Sequence, residues 1–189
     1  MRLFTAIELN DKVKAALRQV QRALSAFDRT VRWVTPEQMH LTLKFLGEVP
    51  DGRVDEISGA SARIARESSP FDLVIGGCGC FPPAGRVRVA WVGMDESSGA
   101  LAACNERCEA EYAEIGFARE RRAFSPHLTL GRVRDDRTDG RLRDAVEALQ
   151  VEPLRQGVVD LRVIRSTLTP QGAQYAVVSR HRLGGPPAK

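Results

Sequence analysis

The chain has 189 residues, 43% of them apolar and 28% charged, with a formal net charge of +4. This length fits one ordinary domain or two small lobes sharing a core, and the composition excludes a disordered or fibrous chain. No apolar run nears the ~18 residues of a membrane span, and the start Met1-Arg2-Leu3-Phe4-Thr5-Ala6-Ile7-Glu8 lacks a secretory apolar stretch, so a cytoplasmic protein with no membrane partner is expected.

In chain order, residues 2–9 read as a strand. Asn10 or Asp11 then caps a helix with the apolar stripe Val13, Leu17, Val20, Leu24 and Phe27. The short apolar piece Val31-Arg32-Trp33-Val34 leads through the turn Thr35-Pro36 to a strand from Met39 to Leu46, closed by Gly47. A helix over 51–67 follows, then a strand near 71–80, a turn at Pro82-Pro83-Ala84-Gly85 and a strand near 86–93. The order then repeats. A helix with Leu101, Cys104, Cys108, Tyr112 and Ile115 on one face stops at Gly116, and an arginine-rich connection leads to a strand from His127 to Val133. A last helix uses Leu142, Val146 and Leu149. Two strands, near 157–168 and 173–182, flank the turn Thr169-Pro170-Gln171-Gly172, and the tail 184–189 is expected to be disordered. Residues 1–183 thus read as a single bilobal domain of two β-α-β-α-β repeats.

The charge and cysteine patterns are less specific. The cations are nearly all arginine, with lysine only at 12, 14, 44 and 189, and the forked guanidinium suits a phosphate-bearing partner. Cys78, Cys80, Cys104 and Cys108 could be read as a zinc site, but their spacing matches no common zinc module. Reduced core cysteines are the better account, because Cys104 and Cys108 fall on an apolar helix stripe.

The strongest signal is a repeated tetrapeptide. His40-Leu41-Thr42-Leu43 recurs as His127-Leu128-Thr129-Leu130 at the equivalent place in each half. The chance that Leu-Thr-Leu follows a given histidine in this composition is ~3 in 10,000. Strand alternation puts Leu41, Leu43 and Phe45 on one face, in a core, and His40, Thr42 and Lys44 on the other. His127 and Thr129 likewise share a face. Two imidazoles across one cleft could serve a phosphodiester as base and acid, with the two hydroxyls donating to its non-bridging oxygens. The scheme needs no metal, and identical motifs leave open which histidine plays which part. His181 has no matching partner and reads as a surface or edge residue.

These motifs resemble those of the 2H phosphoesterases, and most closely the RNA 2′,3′-cyclic phosphodiesterases first described as 2′–5′ RNA ligases. The likeness is carried by Arg32-Trp33-Val34, the run His40-Leu41-Thr42-Leu43-Lys44-Phe45-Leu46-Gly47-Glu48-Val49, Phe81-Pro82-Pro83 through Trp91-Val92-Gly93, and Phe124-Ser125-Pro126-His127-Leu128-Thr129-Leu130-Gly131-Arg132. The resemblance implies an α+β bilobal fold, with two pseudo-twofold-related antiparallel sheets and outer helices flanking a central cleft. It also implies opening of RNA 2′,3′-cyclic phosphates to 2′-phosphates, with RNA ends or cyclic nucleotides as the partners of a monomer and no cofactor. On that pattern His40 is the proton donor and His127 the proton acceptor. Thr42, Thr129, Arg122 and Arg132 are the phosphate-binding candidates. Simple alternation puts Arg132 on the wrong face unless a bulge at Gly131 turns it, and Arg122, Arg132 and Lys44 read equally as solvated charges. Arg119, Arg121 and Arg122 could track an RNA backbone or form a wet loop. Trp33 and Phe81 could stack a base, with core packing the favoured alternative. End-joining through a 2′–5′ linkage at the same site is one alternative function. A non-catalytic RNA- or nucleotide-binding module is the other.

Overall fold

A computed structural model describes residues 1–95, 97–169 and 172–184. Its elements are β1 (Arg2–Glu8), α1 (Asp11–Ala23), β2 (Val31–Trp33), β3 (His40–Glu48), α2 (Val54–Glu67), β4 (Phe71–Phe81), β5 (Val89–Asp95), α3 (Ala100–Glu114), β6 (His127–Val133), α4 (Arg141–Glu147), β7 (Leu154–Val158), β8 (Asp160–Thr169) and β9 (Gly172–Arg182). The local signals work as expected at several ends. The Asn10 side chain accepts from the Val13 amide at 2.9 Å to cap α1, and Gly116, with φ of +88°, stops the chain just beyond α3. No described helix is long and apolar enough to cross a membrane.

The strands form two antiparallel sheets in an α+β fold, ordered β3-β1-β8-β9 and β2-β6-β5-β4-β7. The series β3-β1-β8 in the first sheet matches β6-β5-β4 in the second. Each sheet takes in strands of the other repeat: β2 and β4 lie in the sheet of β5 and β6, and β8 lies beside β1. A core of Leu3, Ile7, Leu17, Leu41, Ile57, Leu73, Tyr112 and Leu128, among others, joins the sheets to the helices. On the opposite side of β1, Phe4 and Ala6 form a separate small cluster with Ile164.

Several boundaries depart from the sequence reading. The last run of strand is two elements, since β7 ends at Val158 and pairs with β4, whereas β8 starts at Asp160 and pairs with β1. The strand expected near 86–93 begins at Val89, and β3 continues through Gly47 to Glu48. Val31–Trp33 is a strand in its own right, paired with β6. That pairing requires Gly131, where an added Cβ would lie 2.5 Å from Val31 and 2.8 Å from Trp33. Pro170 and Gln171 of the expected hairpin turn, and 185–189 of the expected disordered tail, lie outside the described residues. Cys80, Cys104 and Cys108 are buried, Cys78 is half-buried, and all four are free thiols.

The main departure is in side-chain facing along β3 and β6. Ala6 pairs with Thr42 and Thr5 with Lys44, so Leu43 has no partner and forms a bulge. On β6, Trp91 pairs with Thr129 and Ala90 with Gly131, so Leu130 is the extra residue there. The bulged residue is Leu130 rather than the expected Gly131. Each bulge reverses the alternation beyond it. Phe45, expected in the core, is 65% exposed, whereas Lys44 is only 5% exposed. A side-chain amide holds each bulge. Asn105 Nδ2 on α3 donates to the Leu43 carbonyl at 2.8 Å, and Gln21 Nε2 on α1 donates to the Leu130 carbonyl at 2.9 Å and to that of Val34 at 2.6 Å.

Turned inward, Lys44 meets an acid. Its ammonium lies 2.6 Å from Glu109 Oε2 and 2.9 Å from the Ala118 carbonyl, and the same carboxylate oxygen accepts from the Glu120 amide at 2.9 Å. One buried pair thus ties β3 and α3 to the loop after α3. Glu109→Gln leaves a buried cation without its counter-charge and is expected to cost ~3–5 kcal/mol in urea unfolding, while Lys44→Met combined with Glu109→Leu is expected to recover most of that loss. Equal stability of the single variant and the parent would show that the pair holds nothing together.

Candidate active site

Both histidine strands turn their polar face into one open cleft of about 1730 Å³ between the sheets. β3 contributes His40, Thr42 and Phe45, and β6 contributes His127, Thr129 and Arg132. Burial along the two strands runs in parallel: half-buried histidine, buried leucine, half-buried threonine, two buried residues, then an exposed one. The two strands also touch directly. Of the six residues singled out from sequence, His40, His127, Thr42, Thr129, Arg122 and Arg132 all line this cleft. Arg132 reaches it because the Leu130 bulge brings it round.

The two imidazoles are held in similar ways. His127 Nδ1 lies 2.8 Å from the carbonyl of Ser125, two residues before it. His40 donates to the backbone of Gln38, again two residues before it. A ring tied to a carbonyl through one nitrogen leaves the other nitrogen to meet a ligand. Their aromatic surroundings differ. His40 stacks on Phe4 at 4.5 Å between ring centres and meets the edge of Tyr175 at 5.0 Å, whereas His127 sits edge-on to Phe81 at 5.0 Å. Burial pulls the His40 pKa down to about 4, against the opposing effect of the Gln38 hydrogen bond.

Cations gather at the mouth. Arg2 and Arg88 join Arg121, Arg122 and Arg132 along the wall. The charges of Arg132 and Arg2 both act on the Tyr175 hydroxyl, although burial raises its pKa overall. Arg132 on the second sheet and Tyr175 on the first both line the cleft, within electrostatic reach of each other. Glu120 shapes the arginine loop by accepting from the amides of Arg121 at 2.9 Å and Arg122 at 3.1 Å, and those bonds hold its own pKa down. Arg119 is tied to Glu106 by an ion pair.

The remaining sequence candidates divide between the cleft wall and the core. Lys44 is engaged with Glu109 and is not a mobile cation at the surface. Trp33 donates from Nε1 to Asp28 at 2.6 Å and packs against the core, outside the cleft lining, while Phe81 lines the cleft. His181 lies on β9 with its Nε2 2.8 Å from Ser179 Oγ, and burial lowers its pKa. Sequence reasoning missed Arg2, Phe45 and Tyr175. Arg2 shares parity with Phe4 on β1, a signal in plain view, but nothing local announces the bulge behind Phe45 or the approach of β9. Among the described residues, no three His, Cys, Asp or Glu side chains converge as a metal-binding group would.

Known proteins share this fold. A model of the LigT-like phosphoesterase family matches twice, at residues 7–91 and 92–175. An RNA 2′,3′-cyclic phosphodiesterase of Methanothermobacter thermautotrophicus is 33% identical over 184 residues, covering 97% of this chain and 99% of that protein. The crystal structure of a Thermus thermophilus protein superposes with a TM-score of 0.81 at 31% identity, covering 98% of this chain and 99% of that one. E. coli LigT, solved in complex with 3′-AMP, superposes with a TM-score of 0.72 at 26% identity, covering 96% of this chain and 97% of that one. Two matches to one family model, together running from residue 7 to residue 175, assign the chain to the LigT-like phosphoesterases, a family of enzymes within the 2H phosphoesterase superfamily.

Proposed function

We propose that the protein hydrolyses RNA 2′,3′-cyclic phosphate ends to 2′-phosphomonoesters, using His40 and His127 as an acid–base pair without a metal cofactor. The observation that carries this reading is the entry of two His-x-Thr strands, from different sheets, into one arginine-rimmed cleft. Relatives of this chain are RNA 2′,3′-cyclic phosphodiesterases, and the chemistry fits. His127 accepts a proton from water as its oxygen bonds to phosphorus. The bond from phosphorus to the 3′-oxygen breaks, and His40 protonates that leaving oxygen. Thr42 and Thr129 donate to the non-bridging oxygens, while Arg122 and Arg132 balance the charge that grows there. The product keeps its phosphate on the 2′-oxygen.

Protonation sets a condition on these roles. With its pKa near 4, free His40 is neutral at pH 7 and lacks the proton that an acid must give. A bound phosphate anion favours the imidazolium and raises that value. If the anion raises it too little, the roles exchange and His40 becomes the base. The burial of His40 is the specific observation that favours this second reading.

In excess EDTA, 2′,3′-cyclic-ended RNA is expected to give the 2′-phosphate with no joined product. His40→Ala and His127→Ala are each expected to slow turnover by ~10²–10⁴-fold. Full activity in either variant, or dependence on an added metal, would end the proposal. A substrate with sulfur at the 3′-bridging position separates the roles, because its leaving group needs no proton. It is expected to restore the rate of the His40 variant and not that of the His127 variant; the reverse pattern would exchange them. By NMR, the His40 ring is expected to titrate near pH 4 in the free protein and at higher pH once inorganic phosphate is added. A midpoint that ignores phosphate would remove His40 from the anion site.

A further inference from the structure

Each of the two bulges is held by an amide that sits in the same way on a helix of the other repeat. Gln21 lies four residues after Leu17 and three before Leu24, on the side of α1 that those two buried leucines mark. Asn105 lies four after Leu101 and three before Cys108, on the buried side of α3. Both are half-buried polar residues where the helical period favours an apolar one. Gln21, in the first repeat, donates to the Leu130 carbonyl of the second motif, and Asn105, in the second repeat, donates to the Leu43 carbonyl of the first. The exchange is reciprocal. Gln21 is the more engaged of the two. Its Nε2 also donates to the Val34 carbonyl at 2.6 Å, and the Val34 amide donates to the Leu130 carbonyl at 2.9 Å. Two donations from one amide and two acceptances by one carbonyl thus meet at the residue that turns Arg132 into the cleft.

We propose that Gln21 is a positioning residue for the phosphodiesterase reaction: by clamping the Leu130 carbonyl it preserves the bulge, and so keeps Arg132 on the phosphate side of β6. A bulge carbonyl that loses its partner favours a return to the regular ladder, because an unpaired backbone group away from water is costly. Regular alternation after Thr129 would put Gly131 on the cleft face and send Arg132 to the opposite one. Among the described residues Gln21 lies outside the cleft lining, so its influence on a substrate runs through the backbone. The bulge comes after Thr129, so His127 and Thr129 keep their places whichever way the strand continues. Loss of the clamp removes a cation from the site and spares the imidazole.

This inference rests on the phosphodiesterase reading and on the part given there to Arg132, and the test separates them. Turnover of adenosine 2′,3′-cyclic phosphate is measured for the parent, Gln21→Met, Arg132→Ala and the double variant. Gln21→Met keeps the length of the side chain and removes its N–H donors. Its kcat/KM is expected to fall ~10-fold or more, and the double variant to be no slower than Arg132→Ala alone, since a guanidinium already removed cannot be displaced. A further loss in the Arg132→Ala background, or parent activity in Gln21→Met or in Arg132→Ala, would overturn the clamp. Gln21→Glu, which also lacks the donor, answers the same question should the methionine variant not fold. Calorimetric binding of inorganic phosphate gives a second readout without turnover. The affinity of Gln21→Met is expected to drop to that of Arg132→Ala, and an affinity equal to the parent's rejects the clamp. A parent that hydrolyses no cyclic phosphate, while Gln21→Met still loses phosphate affinity, would overturn the phosphodiesterase reading and leave the clamp standing.

Discussion

Two one-residue bulges, at Leu43 and Leu130, govern how this cleft is furnished. A strand presents every second side chain to one face, so an uninterrupted β3 would send Phe45 to the core with Leu41 and Leu43 and leave Lys44 beside His40. The extra residue reverses that order one step beyond the threonine. His40 and Thr42 keep their face, Phe45 joins them, and the charge of Lys44 turns to the helices. The same device on β6 leaves His127 and Thr129 in place and adds Arg132. A bulge gives up ladder hydrogen bonds, and the freed carbonyls find partners in Asn105 on α3 and Gln21 on α1.

The buried consequences of the first bulge reach to the rim of the cleft. Lys44 is inside only because Glu109 meets it, and Glu109 in turn anchors the backbone at Glu120. From there the Glu120 carboxylate holds the amides of Arg121 and Arg122. A register choice in β3 therefore helps to set where the arginine loop begins on the far side of α3. Tyr112, fully buried, shares its hydroxyl with Thr5 at 2.6 Å and Ser61 at 2.7 Å, joining β1, α2 and α3 through paired polar atoms.

Identical motifs do not make identical sites. The two histidines share a tetrapeptide and the same kind of backbone tether, yet His40 is enclosed by Phe4 and Tyr175, whereas His127 meets the edge of Phe81. Enclosure strips water from an imidazolium and lowers its pKa. Strands β1 and β9 thus give one of two histidines in a repeated sequence an enclosure that the other does not share.

Much of this was legible before any fold was drawn. The apolar periods marked every helix and most of the strands, the Asn10 cap and the Gly116 stop marked their ends, and the repeated His-Leu-Thr-Leu named the four side chains that line the cleft from both sheets. Those signals are local, carried by a period of two or 3.6 residues or by one side chain beside its own backbone. The face taken by Phe45, Lys44 and Arg132, the division of the last strand run into β7 and β8, and the enclosure of His40 came only with the tertiary structure. Each depends on which strand or helix lies alongside, and a bulge, a buried ion pair or a desolvated ring is stable only when a partner distant in the chain supplies the missing hydrogen bond, counter-charge or apolar cover.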